Sequence, residues 1–268
     1  MKVLGTYGFV IGEIIIPYYG FFVACGIVCA LLVGVLQTKI NKQVPEDFII
    51  IFSMAGIFAF LGAKILYLIV SYKYIDFNRL NDWKYINSIM ASGFVFYGGL
   101  LGTIFAMPVV KRIFHINVEE YINTCFPVFC ILHGFGRLGC NAVGCCYGKE
   151  YHGIIAKIYT HSLIAPNNVS LFPVQLLEAI WEFALFVLLM FLIDKKKIKN
   201  TNSLVVFLLL YTPFRFILEF MRADDKRGFL WIMSTSQWIS AFIFIGTIIY
   251  TLIRIIKTHK VNRLALKI

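Results

Sequence analysis

The apolar positions of this chain fall into seven runs of about twenty residues, at 18–37, 48–70, 92–110, 118–138, 173–193, 203–221 and 236–256, joined by short polar links. An α-helix rises about 1.5 Å per residue, so a run of roughly twenty residues crosses the hydrocarbon core of a bilayer. None of the runs shows the period-two alternation of a barrel strand. Lipid offers no partner to a backbone N–H or C=O, so segments of this kind must satisfy themselves as helices. The pattern predicts an all-α integral membrane protein with seven transmembrane helices. It is read as a single membrane domain over 1–268, with one polar loop region at 139–172. Glu119 and Glu120 lie at the start of the fourth run, and Arg215 lies inside the sixth.

Composition sharpens this reading. Of 268 residues, 60% are hydrophobic and only 15% charged, and the mean hydropathy is +0.81, which excludes an ordinary water-soluble domain. The net charge of +11 would suit nucleic acid as a partner, but the basic residues sit mostly between apolar runs, where they orient a membrane protein. No nucleic-acid partner is expected. Lys39, Lys42, Lys111, Arg112, Lys195, Lys196, Lys197 and Lys199 fall on one side with the tail cations Arg254, Lys257, Lys260, Arg263 and Lys267. Lys2, Lys73, Arg79, Lys84, Lys149, Lys157, Lys226 and Arg227 fall on the other, over longer loops. The positive-inside rule then puts the N-terminus outside and the C-terminus inside. Val23-Ala24-Cys25 resembles the end of a lipoprotein cleavage box, but Glu13 and several aromatic residues precede it where a signal peptide wants a cationic head. The first span is expected to stay.

Charged groups at bilayer depth cost about 2.5–3.5 kcal/mol each on insertion scales, so each is a functional candidate. Tyr211, Arg215, Glu219 and Arg222 recur at i, i+4, i+8 and i+11 and share one helix face. Either Arg215 and Glu219 simply neutralise each other, or two arginines against one acid leave a positive surplus for an anion. Arg suits the second role, because its fork matches phosphate oxygens. A second constellation runs from His133 through Arg137, Gly139, Cys140, Cys145, Cys146 and Gly148. Its glycines either expose N–H groups to an anion beside Arg137 or let helices pack closely. Three clustered cysteines near His133 and His152 admit a zinc reading, but adjacent Cys145 and Cys146 are awkward as two ligands of one tetrahedral ion. Neither a metal nor another cofactor is expected. The odd total of seven cysteines also argues against a disulfide scaffold, while leaving open one bridge within the cluster on an oxidising face. Tyr97 beside Gly98 and Gly99 is either an interfacial aromatic anchor or part of a site. Lys64, in the second span, is a further intramembrane cation. Gln175 and Glu178 open the fifth span at i and i+3, as helix capping or as an acid for a cation. These cations sit toward one face, where a phospholipid headgroup is the anion at hand.

Five segments, in order along the chain, carry a family resemblance: Tyr18-Tyr19-Gly20, Gly98-Gly99-Leu100, Gly136-Arg137-Leu138-Gly139 through Gly148, Pro173-Val174-Gln175-Leu176-Leu177-Glu178, and Phe214-Arg215-Phe216 with Glu219, Phe220 and Arg222. From about Tyr18 to Ile256 the chain resembles bacterial prolipoprotein diacylglyceryl transferases. That resemblance implies a multi-pass protein of the bacterial cytoplasmic (inner) membrane. It also implies transfer of the diacylglyceryl group of phosphatidylglycerol to the lipobox cysteine of preprolipoprotein signal peptides, forming a thioether and releasing glycerol phosphate. Arg137 and Arg215 correspond to the family's essential arginines, with Glu219 orienting Arg215, and Tyr19, Gly148 and Arg222 also fall on family positions. The sequence departs from the family at three of them. Tyr97 stands where a His is usual, Cys140 where an Asn is usual, and Cys145 where a Glu is usual. A phenol with a pKa near 10 is a poorer base than an imidazole near 6.5, and His133, one turn before Arg137, is a further candidate. The expected catalytic residues are therefore Arg137, Arg215, Tyr97 and Glu219. The expected substrate contacts are Tyr19, Lys64, Gly98, Gly99, His133, Gly139, Cys140, Cys145, Gly148, Gln175, Glu178 and Arg222. Two other classes fit the residues: a paralogue with another acceptor or a thiol-redox role, and a transporter or lipid-binding protein. The sequence lacks the inverted, broken-helix repeats common in transporters.

Overall fold

A computed structural model describes residues 2–4, 8–11, 14–91, 93–194, 202–224 and 228–265. Helix accounts for most of the described residues. Among the described residues, five helices are long and apolar enough to cross a membrane, namely Tyr18–Ile40, Pro45–Val70, Val118–Val143, Val174–Asp194 and Thr235–Lys257. Large apolar side chains such as Leu32, Leu36, Ile69, Phe242 and Ile256 stand exposed along them, a surface suited to lipid and costly in water. The protein is a multi-pass membrane protein.

The helices are α1 (Tyr18–Ile40), α2 (Pro45–Val70), α3 (Trp83–Ala91), α4 (Phe96–Ile113), α5 (Ile122–Val143), α6 (Val174–Asp194), α7 (Asn202–Glu219) and α8 (Thr235–Ala265). Each predicted run coincides with a helix. The third and sixth runs fall on α4 and α7, each 18 residues long and each carrying charge, Lys111 with Arg112 and Arg215 with Glu219. Ser92, the basic run 195–199, Lys226, Arg227 and Lys267 lie outside the described residues. The fourth run begins as a 3-10 turn at Val118–Tyr121 and continues as helix to Val143. Gly139 and Cys140 therefore belong to α5 rather than to the loop after it.

The all-helical expectation missed short strands. Strands β1 (Lys2–Leu4), β2 (Gly8–Ile11) and β3 (Ile14–Pro17) form an antiparallel sheet ahead of α1, with Phe9 opposite Ile16 and Val10 opposite Ile15. Ile14, Ile15 and Ile16 are β-branched, and the segment is too short to register as an apolar run. Two-stranded pairs follow at β4 (Lys157–Ile158) with β5 (Ser170–Leu171), and at β6 (Phe229–Leu230) with β7 (Met233–Ser234).

The chain divides into two units. One comprises Met1–Val33 with Ile122–Ile268, and the other comprises Gly34–Tyr121. In the first, α5, α6 and α7 pack on one another and α8 packs on α7, around a core of Cys130, Leu185, Leu189 and Phe207. α8 starts with a reciprocal cap, in which Gln237 N–H donates to Ser234 Oγ and Ser234 N–H to Gln237 Oε1. In the second unit α2 packs on α4, at a crossing where Gly98 lies against Gly62 and Gly102 against Phe58. A side chain at Gly98 would run into the Gly62 carbonyl and Leu66. Overpacking of this kind costs about 1–3 kcal/mol. Gly98→Val is accordingly expected to lower the thermal unfolding midpoint of the detergent-solubilised protein by several degrees. An unchanged midpoint would show that this crossing does not hold the second unit together.

Candidate functional site

A buried polar cluster of the first unit lies among α5, α6 and α7, and its centre is Glu178. This carboxylate, 1% exposed, comes from the first turns of α6. Arg137 of α5 approaches its Oε2 through Nε at 3.1 Å. Arg215 of α7 approaches its Oε1 through Nε at 3.6 Å, and Tyr211, one turn earlier, donates to the same oxygen at 2.9 Å. One acid thus gathers two arginines and a phenol from two other helices. Its position explains why a charge is tolerated there, because a buried ion is affordable only when paired and hydrogen-bonded.

The cluster extends along α7. Arg215 Nη2 meets Glu219 Oε2 at 2.6 Å, and Arg222 Nη1 meets the same oxygen at 3.4 Å. Arg222 also forms a two-pronged contact with Asp224, Nε to Oδ1 at 2.8 Å and Nη2 to Oδ2 at 2.5 Å. Burial opposes the charge on Arg222, but the bonds to Asp224 together with the neighbouring charges of Cys146, Glu219 and Asp224 outweigh it and hold the guanidinium above its ordinary range. The expected surplus of positive charge is corrected here. Arg137, Arg215 and Arg222 face three acids, Glu178, Glu219 and Asp224. Two of those acids lie off the α7 face, on another helix and in the following loop, so a single helix face could not reveal the balance. What the cluster offers an anion is unsatisfied geometry. Arg215 Nη1 and Arg137 Nε are both buried without a hydrogen-bond partner among the described residues, Arg137 Nε meeting Glu178 Oε2 at 3.1 Å as an ion pair without hydrogen-bond geometry.

Other expected residues frame this centre. Tyr19 of α1 packs on Gly139, where a side chain would meet the Tyr19 ring and backbone. Gly148 bridges to Arg222 in the backbone and lies so close to the Phe172 carbonyl that no side chain fits. Lys149 N–H donates to Met221 O, and Ala223 N–H to Tyr147 O. These bonds tie the loop after α5 to the end of α7. Gln175 does not cap α6; its Nε2 donates to Cys145 O at 2.7 Å. Tyr159, whose phenol burial pushes up to about 12, donates to Asn141 O at 2.9 Å. His133 stacks on Phe129 and meets Glu182 Oε1 through Nδ1 at 2.7 Å.

The sulfurs of Cys140, Cys145 and Cys146 all lie within 4.8 Å of one another, and the three thiols are free. Tyr97, Lys64, Gly98 and Gly99 belong to the second unit. There Lys64 is buried, donates to Ile89 O at 2.7 Å and lies 4.6 Å from the Tyr67 ring centre. Tyr97 is half-buried beside Phe96. Sequence reasoning missed Glu182, Asp224 and Tyr159. Glu182 was signalled by its place one turn after Glu178 inside an apolar run; Tyr159 carried no signal.

The family model for prolipoprotein diacylglyceryl transferase matches residues 7–253. The chain belongs to this family. It is 35% identical over 257 residues to phosphatidylglycerol–prolipoprotein diacylglyceryl transferase 2 of Clostridium perfringens, an alignment covering 94% of this chain and 97% of that protein. It is 32% identical to the phosphatidylglycerol–prolipoprotein diacylglyceryl transferase of Clostridium tetani, over 88% of this chain and 92% of that one. The correspondingly named protein of Clostridioides difficile is 27% identical, over 87% and 89%.

Glu178 and Tyr211 separate energetically. Glu178→Ala leaves two buried guanidinium groups short of their shared acid, a loss of about 3–5 kcal/mol, whereas Tyr211→Phe removes one hydrogen bond, about 1 kcal/mol. Thermal unfolding in micelles should show a much larger drop for Glu178→Ala. Equal drops would mean that Glu178 is not the hub.

Proposed function

We propose that this chain transfers the diacylglyceryl group of phosphatidylglycerol to the lipobox cysteine thiol of preprolipoproteins, forming a thioether and releasing glycerol phosphate. Family membership supports the reaction. The observation that carries the site is the buried Arg137–Glu178–Arg215 bridge, with Arg215 Nη1 unpartnered.

In this reading the phosphate of the lipid lies against Arg137 and Arg215. As the glyceryl C–O bond breaks, charge gathers on the leaving phosphate, and donors already held in place stabilise it more than they stabilise the bound lipid. Glu178 and Glu219 are positioning residues that hold the two guanidinium groups before substrate arrives. Arg222 with Asp224, Gly148, and the Tyr19 contact on Gly139 set the walls. Tyr97, Lys64, Gly98 and Gly99, all of the second unit, are proposed as functional residues on the resemblance alone. A phenol is a weak base at neutral pH, so the acceptor thiol needs further help to lose its proton. The same reading has seven spans, with the N-terminus outside and the C-terminus inside, in the cytoplasmic (inner) membrane of a bacterium. The two spans beyond the five apolar helices are α4 and α7, whose charges α7 turns to use.

Mass spectrometry of a synthetic lipobox peptide incubated with the purified protein and phosphatidylglycerol tests this directly. The wild type should add one diacylglyceryl mass. Arg137→Ala, and Arg215→Lys as a charge-keeping variant, should lose about 10²–10³-fold in rate, the scale of one lost preorganised donor, while a thermal transition shows that they still fold. Transfer at the wild-type rate by both variants would refute the assignment.

A further inference from the structure

The reaction proposed above alkylates a thiol, and the first unit holds three thiols at one point. Cys140 sits in the last turn of α5 on the same face as Arg137, three residues earlier. The chain then turns sharply. Gly144 has φ +84° and Cys146 φ +59°, the left-handed region, which costs a non-glycine residue of order 1 kcal/mol or more. That turn carries Cys145 and Cys146 back to Cys140, so that all three Sγ atoms lie within 4.8 Å of one another. The objection that neighbouring cysteines cannot serve one ion is removed by the left-handed backbone at Cys146.

The turn is also braced from outside. Gln175 Nε2 holds Cys145 O, Tyr159 holds Asn141 O, and Ser162 Oγ donates to Val143 O at 3.0 Å. Sulfurs bound to zinc at about 2.3 Å stand roughly 3.8 Å apart, so side-chain adjustments of about an ångström bring the three to ligating distance. His133 and His152, the histidines nearest in sequence, are engaged elsewhere, with Glu182 and Glu150. The donor set is thus three sulfurs, and sulfur donors select thiophilic ions such as zinc. A zinc ion with three protein ligands keeps one position open for a reactant.

We propose that Cys140, Cys145 and Cys146 bind one zinc ion, and that its open position receives the acceptor cysteine. The inference rests on the function proposed above. The acceptor thiol would bind as thiolate, its proton passing to water, because a thiol that coordinates zinc is deprotonated. Its sulfur then forms the S–C bond to the glyceryl carbon. The C–O bond to phosphate breaks, and its electron pair leaves on the phosphate oxygen held by Arg137 and Arg215. The product is a neutral thioether, a weaker ligand than a thiolate, which releases the ion for another turnover. No electron transfer is involved.

The test uses the full chain, without an affinity tag that binds metal, purified under reducing conditions. Elemental analysis should find about one zinc per chain. Exchange with cobalt(II) should give intense thiolate-to-cobalt absorption in the near ultraviolet. Both signals should vanish in Cys145→Ser and Cys140→Ser and persist in Cys29→Ser. Adding a lipobox peptide should shift the visible cobalt bands, and the same peptide with Ser for Cys should not. Chelation should slow peptide alkylation by about 10²-fold, the scale of a lost proton-transfer catalyst, and added zinc should restore it. Folded, reduced protein that takes up neither ion, or that carries a disulfide among these cysteines as isolated, would overturn the metal site. Full-rate transfer by metal-free protein would do the same while leaving the proposed reaction intact. Metal bound as described, with no transfer to any lipobox peptide, would instead sink the reaction and leave the three-thiolate site standing.

Discussion

Arginines placed among apolar helices must be held by something, and in this protein that something is one carboxylate. Glu178 faces Arg137 from α5 and Arg215 and Tyr211 from α7. Desolvating three ions is expensive, and the attraction between them repays the cost only when geometry and further hydrogen bonds are good. The ring of contacts through Tyr211 and Glu219 supplies those bonds. Trp181 and Phe214, stacked 4.5 Å apart between α6 and α7, keep the two helices in the register the bridge requires. Replacing the whole cluster with apolar side chains would cost the fold little by the same reasoning, so its presence argues for chemistry more than for stability.

The bridge also explains the local architecture around it. α5 can approach α1 because Gly139 leaves room for Tyr19, and the loop after α5 can reach the end of α7 because Gly148 has no side chain. Arg222 serves twice, pairing in backbone with Gly148 and in side chain with Glu219 and Asp224. The cysteine turn is thereby fixed to the element that carries Arg215. The proposed phosphate site and the thiol cluster thus share one frame, as a transfer from a phospholipid to a thiol would need. Preorganisation of this kind is where electrostatic catalysis gets its advantage, since the donors are ordered before charge develops.

Much of this was legible in the sequence. The helices were visible because a membrane span must be apolar over its whole length, and Arg137, Arg215 and Glu219 stood out because charge is costly there. Partnership between helices was less visible. Helical spacing exposed the pairing of Arg215 with Glu219, but nothing in spacing told Gln175 and Glu178 apart. The fold sends Gln175 to the Cys145 carbonyl and Glu178 to the arginines. Asp224 and the charge balance it completes were missed because the acid lies in a loop beyond α7. The strands before α1 were too short to stand out beside twenty-residue runs. The meeting of three sulfurs depends on left-handed backbone at Cys146, a conformation that residue identity disfavours and does not announce.

The central claim is that the Glu178-held arginines receive the lipid phosphate. An experimental density map of the protein in a nanodisc containing phosphatidylglycerol would decide it most directly. The account predicts phosphate oxygens at hydrogen-bond distance from Arg215 Nη1 and from the Arg137 guanidinium, with both arginines still touching Glu178. A headgroup phosphate bound away from both arginines would contradict it.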